Sequence, residues 1–339
     1  TITTVYMSKP TLLLNPGVGW AATTPFHYTL TLDNKYAHMG HKKENWYLMR
    51  LYNYPKYEEQ FQEIYSDNFS SKYNIDVNKR PSHHPWGQTL SKRNKYVANT
   101  SLDPYFASPP SIDNYISYWK GHWENIKGTY AAVCDFTNGN YALPYEFWVE
   151  VAPKLQEHFN VKVTFQFRDP VRRYFSEVGS LLTKKFEFSV ENCKFYTDMK
   201  TRLLIRKKKH KQLFFHLLKQ GCLSDLCDFC GAYTIFTRVF GVENTYVTIM
   251  EDLWDKNQEK EQLEALSNFL SYKITKLHDN CYVPNMGSRA PHLPFLQDQW
   301  ESDIDDLTAD DYNHALLYMS RYYTDFKNTF GYLPTSWKK

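Results

Sequence analysis

Residues 161–182 read VKVTFQFRDPVRRYFSEVGSLL, and this stretch decides the fold. Its first seven residues, Val161–Phe167, are apolar or β-branched, the composition of a buried strand. Asp169 suits a helix cap and Pro170 a first helical position, where a missing N–H costs nothing. Helical periodicity then carries the pattern over Pro170–Leu182. The same alternation recurs outward from this unit. Strands are expected at Thr11–Asn15, Tyr130–Cys134 and Thr245–Met250, and helices at Tyr145–His158, Leu203–Lys219, Asp225–Phe240, Gln258–Leu270 and Ala309–Phe330. Strands alternating with helices predict an α/β fold: a central, mostly parallel sheet of about five strands flanked by helices. One domain spanning 1–339 is expected.

Composition narrows the function. The 339 residues allow about two domains at roughly 150 residues each, or one large α/β unit. With 42% hydrophobic and 23% charged residues, the chain is too apolar to be disordered. Lys+Arg at 40 against Asp+Glu at 37 leaves +3, which argues against general nucleic-acid binding. Aromatic residues reach 17%, enough to fill a core and leave some to line a site. No stretch approaches about 18 uninterrupted apolar residues, so no transmembrane segment is expected. Thr1–Val5 lacks the plan of a signal peptide, and a cytoplasmic chain is expected. Cys222, Cys227 and Cys230 lie near His216, but a single C-x-x-C pair fits buried helical thiols better than a metal site. No metal is expected.

The stretch 66–110 differs from the rest, being rich in Asn, Ser, Lys, His and Pro. Its run Pro81-Ser82-His83-His84-Pro85-Trp86 is incompatible with a regular helix. A loop of that length reads as an insertion or lid, with His83, His84 and Trp86 as candidate substrate contacts.

In an open parallel sheet, ligands bind beyond the carboxyl ends of the strands. After the first strand comes Asn15-Pro16-Gly17-Val18-Gly19-Trp20-Ala21-Ala22-Thr23-Thr24-Pro25. Gly17 and Gly19 permit a tight turn, and Ala21 and Ala22 allow a ligand close to the backbone. Thr24 suits an N-cap, with Pro25 at the first helical position. Free N–H groups and the Thr23 and Thr24 hydroxyls then form an anion cradle. A nucleotide-triphosphatase loop would carry Gly-Lys where Ala22 and Thr23 stand, so triphosphate hydrolysis is disfavoured. After the third strand, Arg168 projects from the strand end and Ser176 lies about two helical turns on. One guanidinium and one hydroxyl there suit a second phosphate. Arg172 and Arg173 read as surface charges.

An Arg at a strand end, with Pro two residues later and Ser eight later, resembles the 3′-phosphate motif of sulfotransferases that use 3′-phosphoadenosine-5′-phosphosulfate (PAPS). The loop Gly17–Pro25 resembles that family's 5′-phosphosulfate loop. Lys43-Glu44-Asn45-Trp46-Tyr47 is similar to the Lys-Glu-x-x-Phe-Phe segment of the heparan-sulfate-type, carbohydrate branch, which has bacterial and viral relatives. Asp135–Tyr141 resembles the acidic Ser/Thr-Pro-x-Tyr segment of that branch. Gly231-Ala232-Tyr233, Phe240-Gly241 and Glu251-Asp252-Leu253 follow in the family's order, and Gly287-Ser288-Arg289 resembles the late loop closing over the nucleotide. The likeness runs from about Leu12 to His292 and does not cover 66–110.

The resemblance implies a P-loop-like three-layer fold and metal-independent transfer of a sulfuryl group from PAPS to a hydroxyl or amine. The by-product is 3′-phosphoadenosine-5′-phosphate (PAP). A glycan or small molecule is the implied acceptor. It implies Glu44 as general base, Lys43 and His41 as charge-stabilising groups, and Asp135 as an acceptor contact or a residue ordering its loop. The 5′ loop of the family carries Lys where this chain has Trp20, whose indole offers one N–H and no charge. Lys42, Lys43 and Arg289 are candidates to replace it. Two other classes stay open on that departure: a nucleotide-binding pseudoenzyme, and a P-loop-type small-molecule kinase.

Overall fold

The structure is a computed structural model describing residues 9–17, 21, 23–40, 47–48, 51–52, 110–180, 198–207, 209–221, 227–253, 255–278 and 307–337. Five strands form one parallel sheet: β1 (Thr11–Asn15), β2 (Ala37–His38), β3 (Ala132–Phe136), β4 (Asn160–Phe167) and β5 (Thr245–Ile249). Their order is β2-β3-β1-β4-β5. The strand order reverses at β1, so the loops leaving β1 and β4 follow neighbouring strands at the carboxyl end. That is where ligands bind in open α/β sheets. The chain divides into two compact units, Thr1–Pro16 with Lys35–Lys162, and Gly17–Asn34 with Val163–Lys339.

In the first unit, β1 and β3 run in register from Thr11 opposite Ala132 to Asn15 opposite Phe136. Leu12, Leu13 and Leu14 are buried, as expected of a strand covered on both faces. Helix α2 (Ile112–Ile126) is absent from the sequence expectations; it buries Ile112, Tyr115, Ile116, Tyr118 and Trp119, a face mostly of aromatic residues. The Ser111 side chain caps it by accepting from Asn114 N (3.1 Å). Helix α3 (Tyr145–His158) buries Phe147, Trp148, Val151, Ala152 and Leu155, a helical spacing legible from sequence.

Strand β3 starts two residues later than predicted. Thr129 N and Tyr130 N both donate to Ile126 O, so the turn ending α2 takes up Tyr130, the first residue of the expected strand. At its other end β3 runs on through Asp135, whose carboxylate accepts from Tyr115 Oη (2.6 Å) and from Thr137 Oγ1.

The second unit pairs β4 with β5, from Val163 opposite Thr245 to Phe167 opposite Ile249. Helix α4 (Pro170–Ser180) follows β4. The predicted helix Leu203–Lys219 is two helices, α5 (Met199–Arg206) and α6 (His210–Lys219). On one continuous helix Arg206 and Lys209, and Lys207 and Lys211, would stack like charges three and four residues apart, which favours a break there. After it, His210 is buried against Phe175, with ring centroids 3.9 Å apart and its Nε2 2.8 Å from Phe175 O. Helix α7 (Phe229–Phe240) starts later than predicted because Asp228 caps it, accepting from Gly231 N (2.9 Å). Residues 225–226 lie outside the described residues. Helix α8 (Glu259–Leu270) starts one residue later than expected.

Helix α9 (Ala309–Phe330) begins at a capping box, in which Thr308 and Asp311 exchange side-chain to backbone hydrogen bonds. Asp311 also pairs with Lys211 (2.8 Å). Thr308→Ala is expected to cost about 1 kcal/mol. Urea unfolding should show it as a lower midpoint at unchanged slope.

No helix among the described residues is long and apolar enough to cross a membrane. The segment 66–109 lies outside the described residues.

Candidate functional site at the carboxyl ends of the strands

The end of β4 carries a buried charged cluster. Arg168, 5% exposed, donates from Nη1 to Ser176 Oγ (2.8 Å), joining the two residues singled out as a phosphate grip. Asp169 caps α4, its Oδ1 accepting from Arg172 N (3.0 Å), as expected. Its Oδ2 accepts from Tyr312 Oη and from Tyr323 Oη (3.1 Å). Glu251, just after β5, accepts the Asp169 N–H at Oε1 (3.1 Å) and the Trp337 Nε1–H at Oε2 (3.0 Å). Its Oε1 lies 3.9 Å from Arg168 Nε.

Burial pulls the Arg168 guanidinium down to about 10, while Glu251 and Asp169 hold it up, so it stays cationic at neutral pH. Burial raises both carboxyls above their ordinary values. The Tyr312 hydroxyl is the main group opposing this at Asp169, and the Trp337 N–H at Glu251. A cation held in low dielectric at a strand end attracts an anion more strongly than a solvated one does.

Arg173 departs from expectation. It is buried, donates to Glu177 Oε2 (2.8 Å), and lies 3.5 Å from Cys227 Sγ. Its charge is neutralised one helical turn away, so it belongs to the core beneath the site. Burial pushes the Cys227 thiol up to about 11. His216, grouped with the cysteines by sequence, lies 3.2 Å from Asp198 Oδ1.

The loop after β1 is partly described. Gly17 takes φ +50°, a left-handed conformation that favours glycine and turns the chain away from the strand. Ala21 and Thr23 are buried, and Pro25 is half-buried. Helix α1 (Thr23–Tyr28) begins at Thr23, before the expected Thr24 cap. Pro25 still falls in the first turn, where its missing N–H would have no partner. A π-helical turn, Thr29–Asp33, extends α1. The chain at 272–278 is tied to this helix. Asn34 Oδ1 accepts from Thr275 N (2.7 Å), Thr29 Oγ1 accepts from His278 N (2.9 Å), and Lys276 pairs with Asp33 (3.1 Å).

Asp135 sits in the first unit at the next-to-last position of β3, with each carboxylate oxygen accepting from a hydroxyl. The Tyr115 hydroxyl is raised by burial and by the adjacent Asp135 charge. Gly19, Trp20, Ala22, His41, Lys43, Glu44, His83, His84, Trp86, Gly287, Ser288 and Arg289 lie outside the described residues, as does the Thr24 side chain.

Tyr312, Tyr323 and Trp337 join the site without having been marked by the sequence. The two tyrosines, eleven residues apart, share one face of α9, which is a signal of helical spacing. Trp337 gives no local signal.

The chain matches the crystal structure of a sulfotransferase from Alicyclobacillus acidocaldarius over 98% of its own length and 100% of that chain, with TM-score 0.50 and 13% identity. The fold is that of a sulfotransferase. A second match is the sulfotransferase domain of the Synechococcus PCC 7002 olefin synthase, covering 96% of each chain at TM-score 0.39 and 13% identity. No family model and no curated protein matches the chain. In this fold Arg168 follows β4, Ser176 lies on α4, and Gly17 follows β1.

Proposed function

We propose that the chain is a PAPS-dependent sulfotransferase, transferring a sulfuryl group to a hydroxyl or amine of an acceptor. The observation that carries this reading is the Arg168–Ser176 pair, a buried guanidinium 2.8 Å from a hydroxyl at a strand end of a sulfotransferase fold. A guanidinium and a hydroxyl suit the oxygens of a phosphate, and ATP has no 3′-phosphate for them to take.

Arg168 and Ser176 hold the nucleotide's 3′-phosphate. Backbone N–H groups and hydroxyls of Gly17–Pro25 hold the 5′ end. Gly287, Ser288 and Arg289 close over the nucleotide. PAPS supplies the sulfuryl group and leaves as PAP. Glu44 takes the acceptor's proton, while Lys43 and His41 stabilise developing negative charge. Asp135 orders the turn after β3, a role supported by its two hydroxyl donors. The acceptor class is carbohydrate, by the likeness of 43–47 to the heparan-sulfate-type branch, with 66–110 and its His83, His84 and Trp86 on the acceptor side.

Trp20 favours a second reading, a nucleotide-binding pseudoenzyme, because it removes the loop cation. Incubation with PAPS and a panel of carbohydrate and small-molecule hydroxyls and amines separates the readings. Release of PAP matched by a sulfated product is expected. Tight PAP binding with no turnover across the panel would favour the pseudoenzyme, and preference for ATP over PAPS would overturn both.

A further inference from the structure

Two carboxylates flank Arg168, and neither forms a bidentate pair with it. This is unexpected for a buried guanidinium, whose fork matches a carboxylate's two oxygens. Glu251 lies within ion-pair range of Arg168 Nε at 3.9 Å, beyond hydrogen-bond distance. Both its oxygens take N–H donors from elsewhere: Asp169 N on Oε1 and Trp337 Nε1 on Oε2. Asp169 is treated the same way, with Arg172 N on Oδ1 and two tyrosine hydroxyls on Oδ2. The distant donors, Tyr312, Tyr323 and Trp337, all come from α9 and the turn that follows it. Ser336 Oγ, next to Trp337, also donates to Asp252 (3.1 Å), anchoring that turn beside Glu251.

We infer that Trp337 is a positioning residue for the nucleotide's 3′-phosphate: its indole N–H keeps Glu251 from pairing closely with Arg168 and competing with the phosphate. The inference rests on the reading of Arg168 as the phosphate ligand. Remove the N–H, and Glu251 Oε2 keeps only the long contact from Asp169 N (3.4 Å) in a buried setting, with Arg168 the cation within ion-pair range among the described residues. The carboxylate then turns to the guanidinium, and an arriving phosphate must displace it. Trp337 does this from outside the phosphate's own contacts.

The test compares calorimetric affinities for PAP and for adenosine 5′-monophosphate, which lacks the 3′-phosphate. Trp337→Phe keeps a ring near Phe326 and Tyr323, now 4.6 and 6.1 Å from the indole, and removes only the donor. It is expected to lower the preference for PAP about tenfold, the weight of one charge-assisted hydrogen bond, with monophosphate affinity unchanged. Adding Glu251→Gln to that variant removes the competing charge and should restore the preference. Equal loss for both nucleotides, or no recovery, overturns the inference. Should Trp337→Phe fail to fold, Glu251→Gln alone decides: a PAP preference kept or increased supports the inference, and a tenfold fall contradicts it. If the unaltered protein prefers PAP and Trp337→Phe does too, only this inference fails. If the unaltered protein binds both nucleotides alike, the reading of Arg168 fails and the inference falls with it.

Discussion

Replacing Glu44 by glutamine is expected to lower sulfuryl-transfer turnover by roughly 10²–10⁴-fold, the weight of a positioned general base. Glutamine keeps the size of the side chain and loses its proton affinity, so PAP affinity should stay at its original value. The absence of a lysine at Trp20 makes the neighbouring cations part of the same experiment. If Lys43 has taken over the sulfuryl contact, Lys43→Ala also lowers turnover with little change in nucleotide affinity. If Lys42 or Arg289 is the substitute, Lys43→Ala is mild and the matching alanine variant carries the loss. Steady-state rates with a confirmed acceptor, alongside calorimetric nucleotide affinities, separate these outcomes. Unchanged turnover in Glu44→Gln would remove it as the base and pass the role to another carboxylate, with Asp135 next in line.

Arg168→Ala is expected to weaken PAP binding about ten- to hundredfold, because a hydrogen bond to a charged group is worth roughly 1.5–3 kcal/mol. Adenosine 5′-monophosphate should bind almost as before. Burial makes the effect large, since Arg168 is 5% exposed and water does little to screen its charge. The variant also removes the cation that offsets the buried Glu251 and Asp169 charges, which adds repulsion to the lost attraction. Arg168→Lys should fall between, keeping a charge but losing the planar fork. Equal losses for both nucleotides in Arg168→Ala would show that the residue supports the fold and does not read the 3′-phosphate.

How much of this was legible in the sequence depended on how local each signal was. Strand β1 and helices α3 and α9 carry their patterns in neighbouring residues, and their bounds match expectation residue for residue. Arg168 and Ser176 were legible because cap, proline and helical spacing fix their separation within one strand-to-helix unit. Helix α2 was hidden by an aromatic buried face, and β2 is two residues long, too short for any period. The break between α5 and α6 falls inside a helical pattern that runs on across it, so periodicity alone does not mark it. His210 packs into the core. The contact of Trp337 with Glu251 spans 86 residues, so no spacing rule could reveal it. Arg173 looked like a surface charge beside Arg172. Its burial depends on Glu177 and Cys227, the second far along the chain.

The most direct measurement of the central claim is the affinity of the unaltered protein for PAP and for adenosine 5′-monophosphate, by calorimetry in the same buffer. The two ligands differ only in the 3′-phosphate that Arg168 and Ser176 are proposed to hold. The account predicts that PAP binds about ten- to hundredfold more tightly. Equal affinities, or no binding of PAP, would contradict it.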